Sequence, residues 1–423
     1  MKRLIAQNVY LDENRKNCSR NELVIGSSGA GKTGGFLVPY LLETDESFVV
    51  ADTKMNLYRN YKDDLERRGY KVFNLNLVEP DKGCGYDPLD YVRYETRKGK
   101  RIYNQKDIIT LSQIICPLQP TEREPFWVQQ SQMVISILIA YVLDEIDGAD
   151  KNLSSIVDVF RCMCTSYDNT KNGVPFMNDY CIKHPDSFGA KRYQMISTCF
   201  TADKTWSSIK FIVANALQMF EFDAARKMLT RKNRFNIGDL GRTKTALFLN
   251  ISDTDRSLDA LASIFYTQAL NVLCTQADRN RNSKLTVPCR LMLDDFASNA
   301  YISDFDKMIS VVRSRDISIS TICQSLSQLY AYYGAARAST IIDNSDLLYY
   351  MGGQDLETAN FISQRANIPL ESVLALDCDK GLLFRRGEKP LKVTKIVPYS
   401  MKPAFEDEQA DFAAEPQQVQ HSA

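Results

Sequence analysis

Short apolar runs followed by amphipathic stretches recur towards both ends of the chain, whereas its middle carries apolar residues almost wholly at helical spacing. Residues 4–11 alternate as a strand does and lead, through a charged turn at 12–17, into the apolar Leu23-Val24-Ile25. Helical spacing follows over 34–42. Ser47–Ala51 then reads as a buried strand ending in Asp52-Thr53-Lys54, and a helix is expected from there to about Arg68, where Gly69 stops it. Residues 70–75 are the next strand. Strand and helix in alternation predict a doubly wound, mostly parallel sheet flanked by helices, with ligands beyond the carboxyl ends of its strands.

From Pro88 to about Gly241 the alternation stops. Helices are expected over 108–116, 125–146, 153–165 and 206–232, with loop signals at 169–173 and 183–189. Residues 150–238 read as an all-helical inserted domain, and the earlier helices as part of the sheet domain. The first rhythm then resumes, with strands over 245–251, 289–294, 317–323 and 347–351, helices over 258–275 and 302–312, two short helices after 323, and a final strand pair near 381–384 and 391–396. One α/β domain is therefore expected from 1–149 and 239–402 together. After Lys402 there is no Lys or Arg, while Glu406, Asp407, Glu408, Asp411 and Glu415 accumulate, so 403–423 read as a disordered acidic tail.

The 423 residues suffice for two or three domains. Lys+Arg and Asp+Glu balance at 52 each, which excludes coating nucleic acid by bulk charge and requires any DNA contact to be focused. The closest of the 11 cysteines, Cys162 and Cys164, are spaced too tightly for a zinc knuckle, and His184 and His421 are the two histidines. Buried thiols in a reducing cytoplasm are the expectation. Lys2 and Arg3 are followed by too short an apolar stretch for a signal peptide. The longest nearly apolar run, 133–143, is about half the ~20 residues of a membrane helix and reads as a buried core helix.

The apolar strand before Gly26 runs straight into Gly26-Ser27-Ser28-Gly29-Ala30-Gly31-Lys32-Thr33 and then a helix, which is the context a phosphate-binding loop requires. Its glycines let successive backbone N–H groups curl around phosphate oxygens, and the helix turns its positive end towards them. Lys32 would reach the β- and γ-phosphates and Thr33 would hold Mg2+. A plain Gly/Ser turn has no need of Lys32 and Thr33. The apolar strand that begins near Arg290 ends in Asp294-Asp295: the first suits a Mg2+ shell, the second can orient or deprotonate water. Alone, the pair is equally an N-cap for a helix starting near residue 297. Gln324 closes another apolar strand, where its amide can meet both water and γ-phosphate, or simply cap the strand. Arg313 or Arg315 precedes that strand and could reach a neighbouring subunit's phosphate as an arginine finger, or lie solvated.

Gly26 to Thr33, the block from Asp52 to Tyr58, Pro125-Phe126-Trp127, Asp253 to Ser257, Leu293 to Phe296, and Arg313 to Arg315 through Gln324 to Leu329 form an ordered series. It resembles the type IV secretion coupling proteins of the TraG family, within the wider HerA and FtsK group of hexameric motor ATPases, from about residue 4 to 400. The resemblance implies a RecA-like P-loop NTPase that hydrolyses ATP with Mg2+ in a homohexamer. It implies that the chain recruits relaxase-bound DNA, single-stranded and without sequence preference, and drives it through a type IV secretion channel. Lys32, Asp295, Gln324 and, in trans, Arg313 would be catalytic, Thr33 and Asp294 would hold the metal, and the helical insertion would meet the substrate. The family usually has Asp-Glu where Asp294-Asp295 stands, and Asp-Pro-Lys-Gly where Asp52-Thr53-Lys54-Met55 stands; Asp52 and Lys54 are equally explained as caps of the next helix. Members usually begin with two membrane-spanning helices, whereas the phosphate loop here follows only 25 residues, so a cytoplasmic protein is expected, peripheral at the inner face of the membrane through its partners.

Two basic clusters are candidate DNA contacts: Arg93, Arg97, Lys98, Lys100 and Arg101, interleaved with Tyr91, Tyr94 and Tyr103 in a loop-like stretch, and Arg226, Lys227, Arg231, Lys232 and Arg234 at a helix end. Each is also readable as a solvated charged face. Two other functions fit the same sequence: a docking adaptor that binds nucleotide without motor activity, and another DNA translocase of the same superfamily.

Overall fold

The computed structural model describes residues 2–13, 18–118, 124–165, 174–197, 203–296 and 300–403. The stretch expected as a single strand over 4–11 is a hairpin of β1 (Lys2–Ala6) and β2 (Val9–Asp12). Asn8 makes the turn with a left-handed φ of 58°, which Asn tolerates through local hydrogen bonding of its short side chain. Then come β3 (Glu22–Ile25), a wide π-helical turn over Thr33–Leu37, α1 (Val38–Glu43), β4 (Ser47–Ala51), α2 (Asn56–Arg67) and β5 (Lys71–Asn76). Gly69 ends the α2 segment at φ 83°, as its sequence position predicts.

The region expected to be almost entirely helical opens, where a loop-like stretch was expected, with an antiparallel hairpin, β6 (Tyr94–Arg97) and β7 (Lys100–Tyr103). Lys98 and Gly99 turn it with φ of 50° and 76°, the positive pair that two-residue hairpin loops need. Helices follow as α3 (Gln105–Ile115), α4 (Pro125–Glu145), α5 (Ser155–Thr165), α6 (Pro175–Lys183), α7 (Phe188–Ile196), α8 (Asp203–Leu217) and α9 (Asp223–Thr230). The helix expected over 206–232 breaks after Leu217, where a tight turn at Gln218–Phe220 buries Phe220 and lets α9 pack on the turn at Pro80–Lys82. Helix α4 is the one described helix with the length and apolar character of a membrane span. Its buried face, from Ser131 to Leu143, packs within the protein against α3, α5, α7 and α8. The loop expected at 169–173 and the acidic tail from 404 onward lie outside the described residues.

The α/β rhythm returns with β8 (Thr245–Asn250), α10 (Asp259–Arg279), β9 (Cys289–Leu293), α11 (Phe305–Val311), β10 (Ile317–Cys323), α12 (Leu326–Tyr333), α13 (Ala335–Asp343) and β11 (Leu347–Tyr350). Two further helices, α14 (Leu356–Ala366) and α15 (Leu370–Leu374), precede β12 (Lys380–Arg385) and β13 (Leu391–Thr394). The nine strands outside the hairpins form one sheet in the order β13-β12-β11-β3-β10-β9-β4-β8-β5. From β11 to β5 every neighbour is parallel, and β12 and β13 add an antiparallel edge. Strands β3, β4, β8, β9 and β10 are buried throughout; β4 and β8 read as near-continuous apolar runs, whereas β10 alternates Ile with Ser and buries Ser318, Ser320 and Thr321 as well. Leu23 and Ile25 join the core under α4, α10 and α11, while Val24 joins the opposite core with α1, α2 and the first hairpin. Strand β10 lies between β3 and β9, so three chain segments distant in sequence end side by side.

Candidate functional site

The carboxyl edge of this sheet carries the phosphate loop. The Gly26 N–H donates to the Cys323 carbonyl at the tip of β10 (3.2 Å), and the Ser27 N–H to the Gly352 carbonyl beyond β11 (3.0 Å), so the loop is slung between its strand's two neighbours. Gly29 and Gly31 take φ of 78° and 88°, which a side chain would strain, and a Cβ on Gly26 would stand 2.9 Å from that of Ala30. Ser28 and Gly29 are exposed at the mouth of the loop. The buried Lys32 ammonium curls back to donate to the carbonyls of Gly26 (2.7 Å) and Ser27 (3.1 Å).

Opposite the loop, the Thr33 hydroxyl donates to Asp294 Oδ2 at 2.9 Å. Burial, reinforced by the charge of Asp295, pushes the Asp294 carboxyl up to about 6 against the opposing pull of Thr33 and Lys32. The Asp295 N–H donates to Asp294 Oδ1 (3.1 Å), and Asp295 itself holds a left-handed φ of 47° that turns its carboxylate towards the Gln324 amide, 3.3 Å away. Lys32, Thr33, Asp294, Asp295 and Gln324 are thus brought together by the tips of β3, β9 and β10. Residues 297–299, where the sequence allowed a helix capped by Asp294-Asp295 to start, lie outside the described residues. The donors fit Mg2+: a hydroxyl and a buried carboxylate whose raised pKa reports an uncompensated charge form a hard oxygen pair, and this ion takes its remaining places from phosphate and water rather than from an all-protein cage. Among the described residues no cluster of three or more His, Cys, Asp or Glu able to hold a metal occurs.

The chain's relationships agree with this geometry. The family described as type IV secretory system conjugative DNA transfer matches residues 3–367. The chain belongs to that family. A type IV secretion system-coupling protein VirD4 of Bartonella henselae is 20% identical over 378 residues, 88% of this chain and 56% of that protein. A conjugal transfer protein TraG of Rhizobium radiobacter is 21% identical over 417 residues, 94% of this chain and 60% of its own length. The chain therefore spans little more than half of the curated relatives it matches. Among solved structures, the conjugative coupling protein TrwBdeltaN70 in complex with sulphate superposes with a TM-score of 0.68 over 96% of this chain and 91% of that one, at 15% identity. TrwB in complex with the ATP analogue ADPNP gives 0.68, and with ADP and Mg2+ 0.61. At these identities the likeness is one of fold, and it is the RecA-like P-loop NTPase fold.

In this member of the conjugative transfer family, Arg313 lies on the far side of the sheet from its own phosphate loop. It precedes β10, whose seven residues at roughly 3.3 Å each separate it from Gln324 by about 20 Å. Arg313 is exposed, whereas Arg315 is tied to Asp278 at 2.8 Å and to the Val311 carbonyl. Asp52 is accounted for locally: its carboxylate accepts from the Tyr58 N–H at 2.9 Å, and burial raises its pKa against the N–H groups that open α2. In the second basic cluster three members are engaged in internal bonds, Arg226 to Asp158 (3.1 Å), Arg231 to the Asp81 carbonyl (2.6 Å) and Arg234 to Asp90 (2.8 Å), while Lys227 and Lys232 are exposed. In the first, Arg93 is held by Asp107 at 2.6 Å and Arg101 lies over the Tyr94 ring at 4.8 Å, leaving Lys98 and Lys100 at the hairpin tip.

Two residues of the site carried no motif. Tyr266 on α10 is buried, its hydroxyl has no hydrogen-bond partner among the described residues, and burial together with the Asp294 charge raises its pKa. Lys395, after β13, is buried and donates to the carbonyls of Ala30 in the phosphate loop (3.2 Å) and of Met351. Burial lowers its pKa.

Proposed function

We propose that the chain is the nucleotide-hydrolysing part of a conjugative coupling protein, which binds ATP with Mg2+ and uses its hydrolysis to drive relaxase-delivered DNA towards a type IV secretion channel. The observation that carries this reading is the 2.9 Å bond from Thr33 to Asp294, with Gln324 on Asp295 beside it: phosphate loop, acidic strand and amide sensor meet at one point. Lys32 exchanges two carbonyls for the β- and γ-phosphates. Thr33 and Asp294 hold Mg2+, which when bound neutralises charge on the phosphate oxygens. Asp295 and Gln324 orient a water whose oxygen bonds to the γ-phosphorus as the β–γ bridging oxygen leaves with its electron pair, and Asp295 accepts the proton.

Because Arg313 stands about 20 Å from its own Gln324, it acts in trans, on the nucleotide of a neighbour in a homohexamer. The helical part between 150 and 238, whose α5, α7 and α8 pack against α4, faces the substrate. The protein works at the cytoplasmic face of the membrane, held there by its partners. ATP turnover with and without single- and double-stranded DNA tests the proposal: DNA-stimulated turnover lost in Lys32→Ala supports it, and wild-type turnover in Lys32→Ala overturns it. Mixing Lys32→Ala with Arg313→Ala subunits is expected to restore part of the activity, and no rescue at any ratio contradicts the trans role. A nucleotide-binding docking adaptor is the second reading, favoured by the short side chain of Asp295 where the family usually has Glu; it predicts binding without DNA-stimulated turnover.

A further inference from the structure

The segment after β13 returns to the phosphate loop and packs against it more closely than any motif suggests. The Tyr399 N–H donates to the Gly34 carbonyl at 3.1 Å. A Cβ built on Gly34 would stand 2.7 Å from the Tyr399 ring, and one on Gly35 would stand 2.7 Å from the Ile396 carbonyl. The helical turn after the loop admits this segment because both positions are glycine. Lys395 ties the same segment to the Ala30 carbonyl. Tyr399 itself has a φ of 58°, an unfavourable conformation for an aromatic residue, and its side chain is left 53% exposed. Strain that exposes a large ring beside a ligand loop, rather than burying it, calls for a ligand-side reason.

The strand order supplies one. Residues proposed to act on the γ-phosphate, Asp294, Asp295 and Gln324, stand at the tips of β9 and β10, on one side of β3. A nucleotide whose γ end points there runs its nucleoside end away from β9 and β10, over the start of the helix that follows the loop, where the Tyr399 ring lies against Gly34. We propose that Tyr399 is the stacking platform for the purine base, with Lys395 positioning the segment. This rests on the nucleotide-binding reading above and goes beyond it by assigning the base subsite to residues outside the 3–367 family match. Every base offers a π-face, so the ring sets affinity more than identity of the base.

The test is calorimetric binding of two probes, Mg-ATP and Mg-tripolyphosphate, to the whole chain. Tyr399→Ala is expected to weaken Mg-ATP roughly tenfold, the order of one lost base–aromatic stack, and to leave tripolyphosphate unchanged. Tyr399→Phe is expected to keep both. Tyr399→Asn, which accepts the left-handed backbone without supplying a ring, is expected to match the alanine variant. Wild-type ATP affinity in Tyr399→Ala or Tyr399→Asn, or equal loss of both probes, overturns the assignment. Lys32→Ala reports separately on the underlying reading: it is expected to lose both probes, and retention of both would remove the phosphate loop whatever Tyr399 does.

Discussion

Both edges of the central sheet bury charge, and they treat it in opposite ways. At the amino edge, the guanidinium of Arg290 is fully buried yet bonded to Glu13 and Glu22 (both 3.0 Å), and lies near Glu46 (3.7 Å). Arg3 pairs with Glu13 and Glu22, and Arg20 with Glu46. Burial alone would raise the Glu13 carboxyl, but Arg290, Arg3 and Arg20 hold it below its ordinary value, while burial beside Arg290 brings Arg3 down to about 10. At the carboxyl edge, Asp294 and Asp295 sit together, and the nearby Lys32 ammonium is turned to carbonyls instead. The amino edge is a closed ion network that fixes strand ends. The carboxyl edge is left short of positive charge, which is what a site for a metal–phosphate ligand requires.

That contrast can be broken by removing one charge from each edge. The largest effect on folding is expected for Arg290→Ala, which leaves buried glutamates uncompensated and should destabilise the chain by about 3–5 kcal/mol in denaturant unfolding; a change within experimental error would mean the network is not closed around it. Gln324→Ala should lower ATP turnover by about 10²–10³, the scale of one lost transition-state donor, while nucleotide affinity and unfolding midpoint stay put. The smallest effect has the opposite sign. Asp294 titrates near 6 in the fold against 3.8 ordinarily, so its charged form is disfavoured by folding. Its destabilisation is absent below the unfolded value and fully present above 6. Asp294→Asn should therefore stabilise the nucleotide-free protein by about 1–3 kcal/mol above pH 7, with the gain vanishing below pH 4, and should abolish the Mg2+ dependence of nucleotide binding. In the wild type that dependence should fade below pH 6 as the carboxyl takes its proton.

The carboxyl edge was the legible one. Gly26 to Thr33 has a fixed spacing because backbone geometry around phosphate allows few others, and Asp294-Asp295 and Gln324 each follow a short stretch that reads as a buried strand. The amino edge left no such trace. Arg3, Arg290 and the glutamates lie far apart in sequence, and nothing local distinguishes a buried arginine from a solvated one. The same holds for Lys395 and Tyr399, which meet the phosphate loop only through the antiparallel edge formed by β12 and β13. The hairpin at 94–103 was missed because every residue of β6 is exposed and no apolar alternation marks it; its signal was Lys98-Gly99 alone. The over-long helix at 206–232 shows the converse limit, since its spacing continues while burial of Phe220 turns the backbone.

The most direct test is a structure of the chain with a non-hydrolysable ATP analogue and Mg2+. The expected result is a Lys32 ammonium that has left the Gly26 and Ser27 carbonyls for the β- and γ-phosphate oxygens, with the metal between Thr33 and Asp294. A nucleotide bound elsewhere, or a Lys32 still folded back on its own loop with the triphosphate in place, would contradict the account.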